Sequence, residues 1–263
     1  MTFGRGGATL AIVATVLAGC AGSVEPSPGP GLTIFAAASL RDAVGAVAEE
    51  YRLRGGVSYL LSTDASSTLR TQIEQGARAD VFLSADTKHP EALVAAGLVD
   101  GRSVPFARVR LAIVVPTDNP AGIASPFDLG WPGLKIVAAG ESVPITGYAT
   151  TLLGNLAALP GAPPDLEAAY EANVVSREDN VRAALAKVEL GEADAAIVYA
   201  SDAVASSAVR TIEIPAEATV VATYAGVVPT TANDRRGGHG FLDFLAVDDG
   251  QAILRRFGFE SPP

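Results

Sequence analysis

Cysteine, methionine and tryptophan each occur once in this 263-residue chain, histidine twice and lysine three times. A single cysteine excludes a disulfide within the chain. With only two histidines beside it, a Cys/His zinc site lacks ligands. The lysines (Lys88, Lys135, Lys187) are scattered, and 19 Lys and Arg face 29 Asp and Glu, for a net charge of −10. That balance denies the chain the dense positive surface a nucleic-acid binder needs. Aromatic residues are only 6% and charged residues 18%, yet hydrophobic residues reach 49%. The apolar fraction is ample for a core, so a disordered chain is excluded. At about 100–200 residues per domain, the length allows one or two domains.

The motifs of common enzymes are also missing. No G-x-S-x-G turn is present to expose a nucleophilic serine, and no G-x-x-x-x-G-K-[ST] loop to cradle a nucleotide. His89, beside Pro90, and His239, among Gly237–Gly240, are expected in surface loops, solvated rather than catalytic. Glu49-Glu50 and Asp248-Asp249 read as solvated or capping carboxylates, Arg235-Arg236 and Arg255-Arg256 as surface charge. No acid/base carboxylate pair is evident, and an enzyme is not expected.

The first 20 residues read as an address. Arg5 supplies a positive start, and Ala8 to Leu17 form an apolar stretch too short to span about 30 Å of hydrocarbon. It ends in Leu17-Ala18-Gly19-Cys20, which resembles the lipobox of bacterial lipoproteins. That resemblance implies cleavage before Cys20, lipidation of its sulfur and anchoring at the outer face of the cytoplasmic membrane. Residues 21–31, AGSVEPSPGPG, read as a flexible Pro/Gly/Ser tether.

From Leu32 the chain alternates apolar strand-like runs with amphipathic helical ones. Strands are expected at 32–36, 57–61, 79–83, 108–115, 134–138, 174–175, 195–199 and 220–228. Helices are expected at 40–51, 66–75, 90–96, 145–159, 166–172, 181–190, 240–246 and 250–257. Pro160–Pro164 and Thr231–Gly238 read as surface loops. Such alternation with short connections predicts mostly parallel sheets covered by helices. The strands are too many for one small sheet and too irregular for an eight-fold barrel. Two α/β lobes are expected: 32–112 with 221–263, and 113–220. The crossings near 112–116 and 219–223 would serve as a hinge.

Two strand-to-helix turns carry small polar residues, Ala36-Ala37-Ala38-Ser39 and Asp64-Ala65-Ser66-Ser67-Thr68. In open α/β sheets such turns lie where ligands bind. Helix N-termini offer unpaired N–H groups and partial positive charge, so two converging turns would suit a small anion. The alternative is that each serine merely caps its own helix.

The segments FAAASL (35–40), ASSTLRTQIEQGARADVFLSAD (65–86), AIVYASDA (196–203) and AILRRFGF (252–259), taken in order, resemble the periplasmic molybdate-binding proteins of ABC transporters. The resemblance covers residues 32–259. It implies a type II periplasmic-binding-protein fold, two lobes each built on a mixed, mostly parallel sheet flanked by helices, closing on one oxyanion. By the same resemblance the ligands would be the hydroxyls of Ser39, Ser66 and Tyr199 and backbone N–H groups at Ile145 and Val181. Asp64, acidic beside an anion turn, could accept a proton if it reached the pocket. The ligand would be molybdate or tungstate, with no cofactor and no directly bound metal ion. The partner would be an ABC-transporter permease, and the protein a monomer. A binder of sulfate, phosphate or another small anion, a sensing lipoprotein without transport, and a surface hydrolase using the cleft stay open as alternatives.

Overall fold

The computed structural model describes residues 1–4 and 31–262, so the leader from residue 5, Cys20 and the tether up to residue 30 lie outside the described residues. The first half of the fold follows the expected alternation: β1 (Leu32–Ala37), α1 (Arg41–Leu53), β2 (Tyr59–Asp64), α2 (Ser66–Glu74), β3 (Val81–Ser84) and α3 (Lys88–Ala95). β1 pairs in parallel with both β2 and β3. Side chains alternate across this layer, as a pleated strand requires. Ile34, Ala36, Val81 and Leu83 join the main core, while Phe35 and Phe82 pack with Leu69, Ile73 and Leu93 beneath α2 and α3. Burying a side chain such as Phe82 contributes about 1.5–3 kcal/mol. β1 and β3 are buried on both faces and mostly apolar, whereas β2, at the edge, alternates half-buried with exposed residues.

β4 (Val104–Pro116) then joins two sheets. Its first part, Val104 to Arg110, lies antiparallel to a late strand at Val221–Val227. Leu111 to Pro116 pairs antiparallel with two others, at Ala196–Tyr199 and Val209–Ile212. Between β4 and the late strand the chain builds the second lobe from β5 (Ile136–Ala139), α4 (Pro144–Ala157), α5 (Leu166–Ala172), β6 (Val174–Glu178), α6 (Val181–Glu189), β7 (Ala196–Tyr199), α7 (Ala200–Val204) and β8 (Val209–Ile212). β5 runs parallel to β6, and an isolated bridge from Ile136 to Ala195 ties it to the start of β7. β9 (Val221–Val227) brings the chain back between β3 and β4. α8 (Arg235–Ala246) and α9 (Asp248–Arg256) then pack on α1, with Tyr51 edge-on to Phe241 at 5.5 Å. The result is a mixed sheet. Among the named strands the parallel pairs are β1–β2, β1–β3 and β5–β6, the Ile136–Ala195 bridge is parallel too, and every pair involving the crossing strands is antiparallel.

Several local expectations are corrected. The second strand lies at 59–64 rather than 57–61, because Tyr59 pairs with Leu32 and the register then carries it to Asp64. β4 begins at Val104 despite Pro105, with an irregular register between Pro105 and Ala107 that accommodates the proline. Neither histidine lies in a loop. His89 is buried in the first turn of α3, where Pro90 is tolerated because the first turn's N–H groups have no helical partner. His239 lies within α8, 3.5 Å from Asp100. α8 itself begins inside the segment expected as a loop. Its Gly238 is needed for close packing, since a Cβ there would stand 2.4 Å from the Asp80 carbonyl oxygen. Among the described residues no helix is long and apolar enough to cross a membrane.

Candidate functional site

Four helical starts meet where the lobes face each other. From the first lobe come the 3-10 turn Ala38–Leu40 after β1 and the start of α2 after β2. From the second come the starts of α4 and α6. The first N–H groups of a helix lack intrahelical partners and are usually served by a side-chain oxygen at the cap. Here the caps of the first three are Ala37, Ala65 and Val143, which have no such oxygen. Only α6 is capped, by Asn180, which accepts from Ala183 N–H at 3.1 Å and leaves the N–H of Val181 free.

A cavity of about 10 Å³, room for about one water molecule, lies between these ends, far below the about 300–1,000 Å³ typical of pockets for drug-sized molecules. Ser39, Ser66, Val181 and Tyr199 all line it, with Val143, Pro144 and Asn180 completing the second lobe's side. No charged side chain is among its walls. Ile145 is not among them either. Its side chain is buried and faces a separate cavity between α4 and α5, although its N–H sits in the first turn of α4. Asp64 lines a neighbouring polar cleft. Its Oδ1 accepts from Ala65 N–H at 2.7 Å and from Asn180 Nδ2 at 3.4 Å.

The serines do not cap their own helices. Ser66 Oγ accepts from Ala85 N–H at 3.0 Å, which leaves its proton free to donate. Ser39 Oγ lies 2.9 Å from Tyr224 Oη, both atoms buried. When Tyr224 donates, the Ser39 proton is free to point into the cavity. Tyr199 Oη is buried without a hydrogen-bond partner among the described residues. Burial raises the phenols of Tyr199 and Tyr224 well above their ordinary value, and burial lifts Tyr148 to about 12. All three therefore stay protonated as donors near neutral pH. Edge-on stacking holds them: Tyr148 on Tyr199 at 6.4 Å, Tyr199 on Tyr224 at 5.5 Å and Tyr224 on Phe259 at 5.4 Å. A ring fixed on two sides loses little freedom when its hydroxyl engages a ligand.

Sequence reasoning overlooked Tyr224, whose one signal was a phenol beside Thr223 inside the mostly apolar run 220–228. It also overlooked Asp202, fully buried behind Tyr199. Asp202 Oδ2 accepts from Tyr199 N–H at 3.3 Å, and its Oδ1 stands 2.8 Å from Arg182 Nε. Burial, partly offset by that guanidinium, raises the Asp202 carboxyl from 3.8 to about 6. Neither histidine lines the cavity, and no base faces either serine.

Two α/β lobes joined by crossing strands, with a small donor-lined cavity at their seam, define a two-lobed solute-binding protein. The sequence profile of the bacterial extracellular solute-binding proteins matches residues 32–260, and the chain belongs to that family. The molybdate-binding protein ModA of Mycobacterium tuberculosis is 34% identical over 266 residues, 97% of each chain. The periplasmic molybdate-binding protein of Azotobacter vinelandii superposes with a TM-score of 0.75 at 21% identity, covering 88% of this chain and all of that one. The sulfate-binding protein SubI of M. tuberculosis superposes with a TM-score of 0.76 at 22% identity, covering 88% and 86%. At those identities the two superpositions speak to the fold alone.

Proposed function

We propose that this protein captures molybdate, and tungstate with it, between its lobes and delivers the ion to the permease of an ABC transporter. In this reading the mature chain is a monomer without cofactor or catalytic role, lipid-anchored through Cys20 at the outer face of the cytoplasmic membrane and tethered by residues 21–31. Lobe one comprises 32–112 and 221–263, and lobe two 113–220. The observation that carries the proposal is the convergence of uncapped helix starts and three hydroxyls on one cavity without a charged wall. The molybdate-binding relatives support the choice of ion.

Lobe one would supply the hydroxyls and N–H groups of Ser39 and Ser66. Lobe two would supply the Tyr199 phenol and the N–H groups of Ile145 and Val181. A hydrogen bond to a charged acceptor contributes roughly 1.5–3 kcal/mol. About six or seven of them, offset by several kcal/mol for association and closure, reach the about −8 to −12 kcal/mol of micromolar to nanomolar binding. The net charge of −10 opposes the anion only at long range, where salt screens it beyond about 8 Å. With Asp64 held outside the cavity, its walls lack a carboxylate to receive a proton. A protonated oxyanion such as hydrogen phosphate would then bury an unpaired O–H at a cost of about 1–3 kcal/mol.

Competition calorimetry with molybdate, tungstate, sulfate and phosphate tests the reading. Molybdate and tungstate are expected to displace the other two. A protein that takes sulfate at least as well as molybdate would belong with the sulfate binders, and one that gives neither heat nor thermal shift with molybdate would overturn the proposal.

A further inference from the structure

The groups that line the anion cavity have a second set of groups just behind them. Asp42 lies three residues after Ser39, Arg182 follows Val181, and Asp202 lies three residues after Tyr199. Arg182 Nη2 donates to Asp42 Oδ2 at 2.5 Å across the cleft, and Arg182 Nε stands 2.8 Å from Asp202 Oδ1 within the second lobe. The other polar contacts between the facing edges are neutral or long, Ser142 Oγ to Ser67 Oγ at 3.5 Å and Asn180 Nδ2 to Asp64 Oδ1 at 3.4 Å. Among the described residues Arg182–Asp42 is the one ion pair that spans the cleft.

We propose that Arg182 is the closing latch of the cleft. Its guanidinium is pre-set by buried Asp202 and clasps Asp42 only when Ser39 has come up to Val181 and Tyr199. This rests on the anion-capture reading above and adds to it a positioning residue that does not touch the ion. The arrangement suits a latch. The Asp202 side chain is fully buried and keeps the guanidinium aimed when the lobes part, whereas the Asp42 side chain is 44% exposed even in the closed form and is free to leave. Asp202 also holds the Tyr199 backbone, so one guanidinium ties α1, α6 and the β7–α7 turn into one closed unit. The latch therefore slows release of the ion more than it speeds capture.

Asp42→Asn isolates the cleft-spanning arm, since it leaves Arg182 and Asp202 paired inside their own lobe. Stopped-flow molybdate release and capture are compared for the wild type, Asp42→Asn and Asp42→Glu. In Asp42→Asn the release rate is expected to rise about 3- to 10-fold, between the effect of an exposed pair and that of a half-buried charged hydrogen bond. Capture rate and anion-free Tm are expected to stay unchanged, and Asp42→Glu to release at the wild-type rate. High salt is expected to bring wild-type release toward that of Asp42→Asn. An unchanged release rate in Asp42→Asn, with molybdate still bound tightly by the wild type, overturns the latch and leaves the capture reading standing. A lower anion-free Tm in that variant also overturns it, because the pair is then only structural. A wild type that takes none of molybdate, tungstate, sulfate and phosphate overturns the capture reading, and the latch falls with it.

Discussion

The relay from Tyr224 to Ser39 permits a quantitative test of the cavity. Ser39 has one proton to give, and the proposed anion can only accept. For Ser39 to donate into the cavity, Tyr224 must donate to Ser39 across the 2.9 Å separation. Ser39→Ala removes one hydrogen bond to a charged acceptor, about 1.5–3 kcal/mol, which is about 10- to 150-fold in affinity. It also leaves the fully buried Tyr224 hydroxyl without its serine partner, so the anion-free protein should lose about 1–3 kcal/mol of stability. At about 2–4 °C per kcal/mol for a chain of this size, that is a visible fall in Tm. Tyr224→Phe keeps the serine donor and removes only its orientation, so affinity should fall less, about 3- to 10-fold, within the range of a neutral hydrogen bond.

The double variant decides the reasoning. If Tyr224 acts through Ser39, the Ser39→Ala and Tyr224→Phe pair together should bind no more weakly than Ser39→Ala alone, and the lost Tm should be partly restored. Calorimetry for affinity and thermal melts without anion measure both quantities. Additive losses of affinity would place the Tyr224 hydroxyl on the ion itself. An unchanged affinity in Ser39→Ala would remove Ser39 from the site.

Three further perturbations have opposed or pH-dependent signs. Tyr199→Phe should weaken molybdate binding about 10-fold or more yet leave the anion-free Tm equal or higher, because it deletes a buried hydroxyl that has no hydrogen-bond partner among the described residues; a fall in both would make Tyr199 a packing residue. Ala65→Asp should abolish binding, since its carboxylate would take the first N–H groups of α2 and repel an anion; retained binding would refute the role of that helix start. Native Asp202, shifted from 3.8 to about 6, holds a proton that the unfolded chain releases between those values. Its contribution to stability is present below about pH 4 and is lost as the pH rises through about 6, on the order of 3 kcal/mol for a shift of about two units. Asp202→Asn should flatten that fall in thermal melts from pH 4 to 7, and parallel curves for the two proteins would refute it.

The turns that line the cavity were legible because each follows an apolar run and opens an amphipathic one. A strand end beside a helix start places its small residues at one edge of the sheet. Ser39 and Ser66 could be named for this reason and by resemblance, and Tyr199 by resemblance alone, before any geometry. The pairing of β4 with three different strands was not legible, because nothing local to Val104–Pro116 marks where its partner changes. β8 and α7 escaped notice because four or five residues carry too little periodicity. His89 was misplaced because the helix was expected to start at Pro90, although a helix's first turn accepts a proline after its first residues and α3 starts at Lys88. The Asp42–Arg182–Asp202 set was invisible for another reason. Charged residues scattered along a chain look like solvated faces, and a contact between positions 140 apart is fixed only by the closure of two lobes.

The missing helix caps connect stability with function. A side-chain cap contributes about 1 kcal/mol, and Ala37, Ala65 and Val143 each forgo one, so the anion-free protein gives up about 3 kcal/mol in helix ends alone. Filling those positions with serine or aspartate would stabilise the helices separately and block the place where they meet. An anion held there serves as one cap shared by several helices from both lobes. Its binding energy then appears as stability: at about 1,000 times Kd, linkage adds about 4 kcal/mol, comparable to what the absent caps would have supplied. Because the starts of α2 and α4 belong to opposite lobes, the shared cap would exist only when the lobes are together, and under the proposed function the same N–H groups that hold the ion would also favour closure around it.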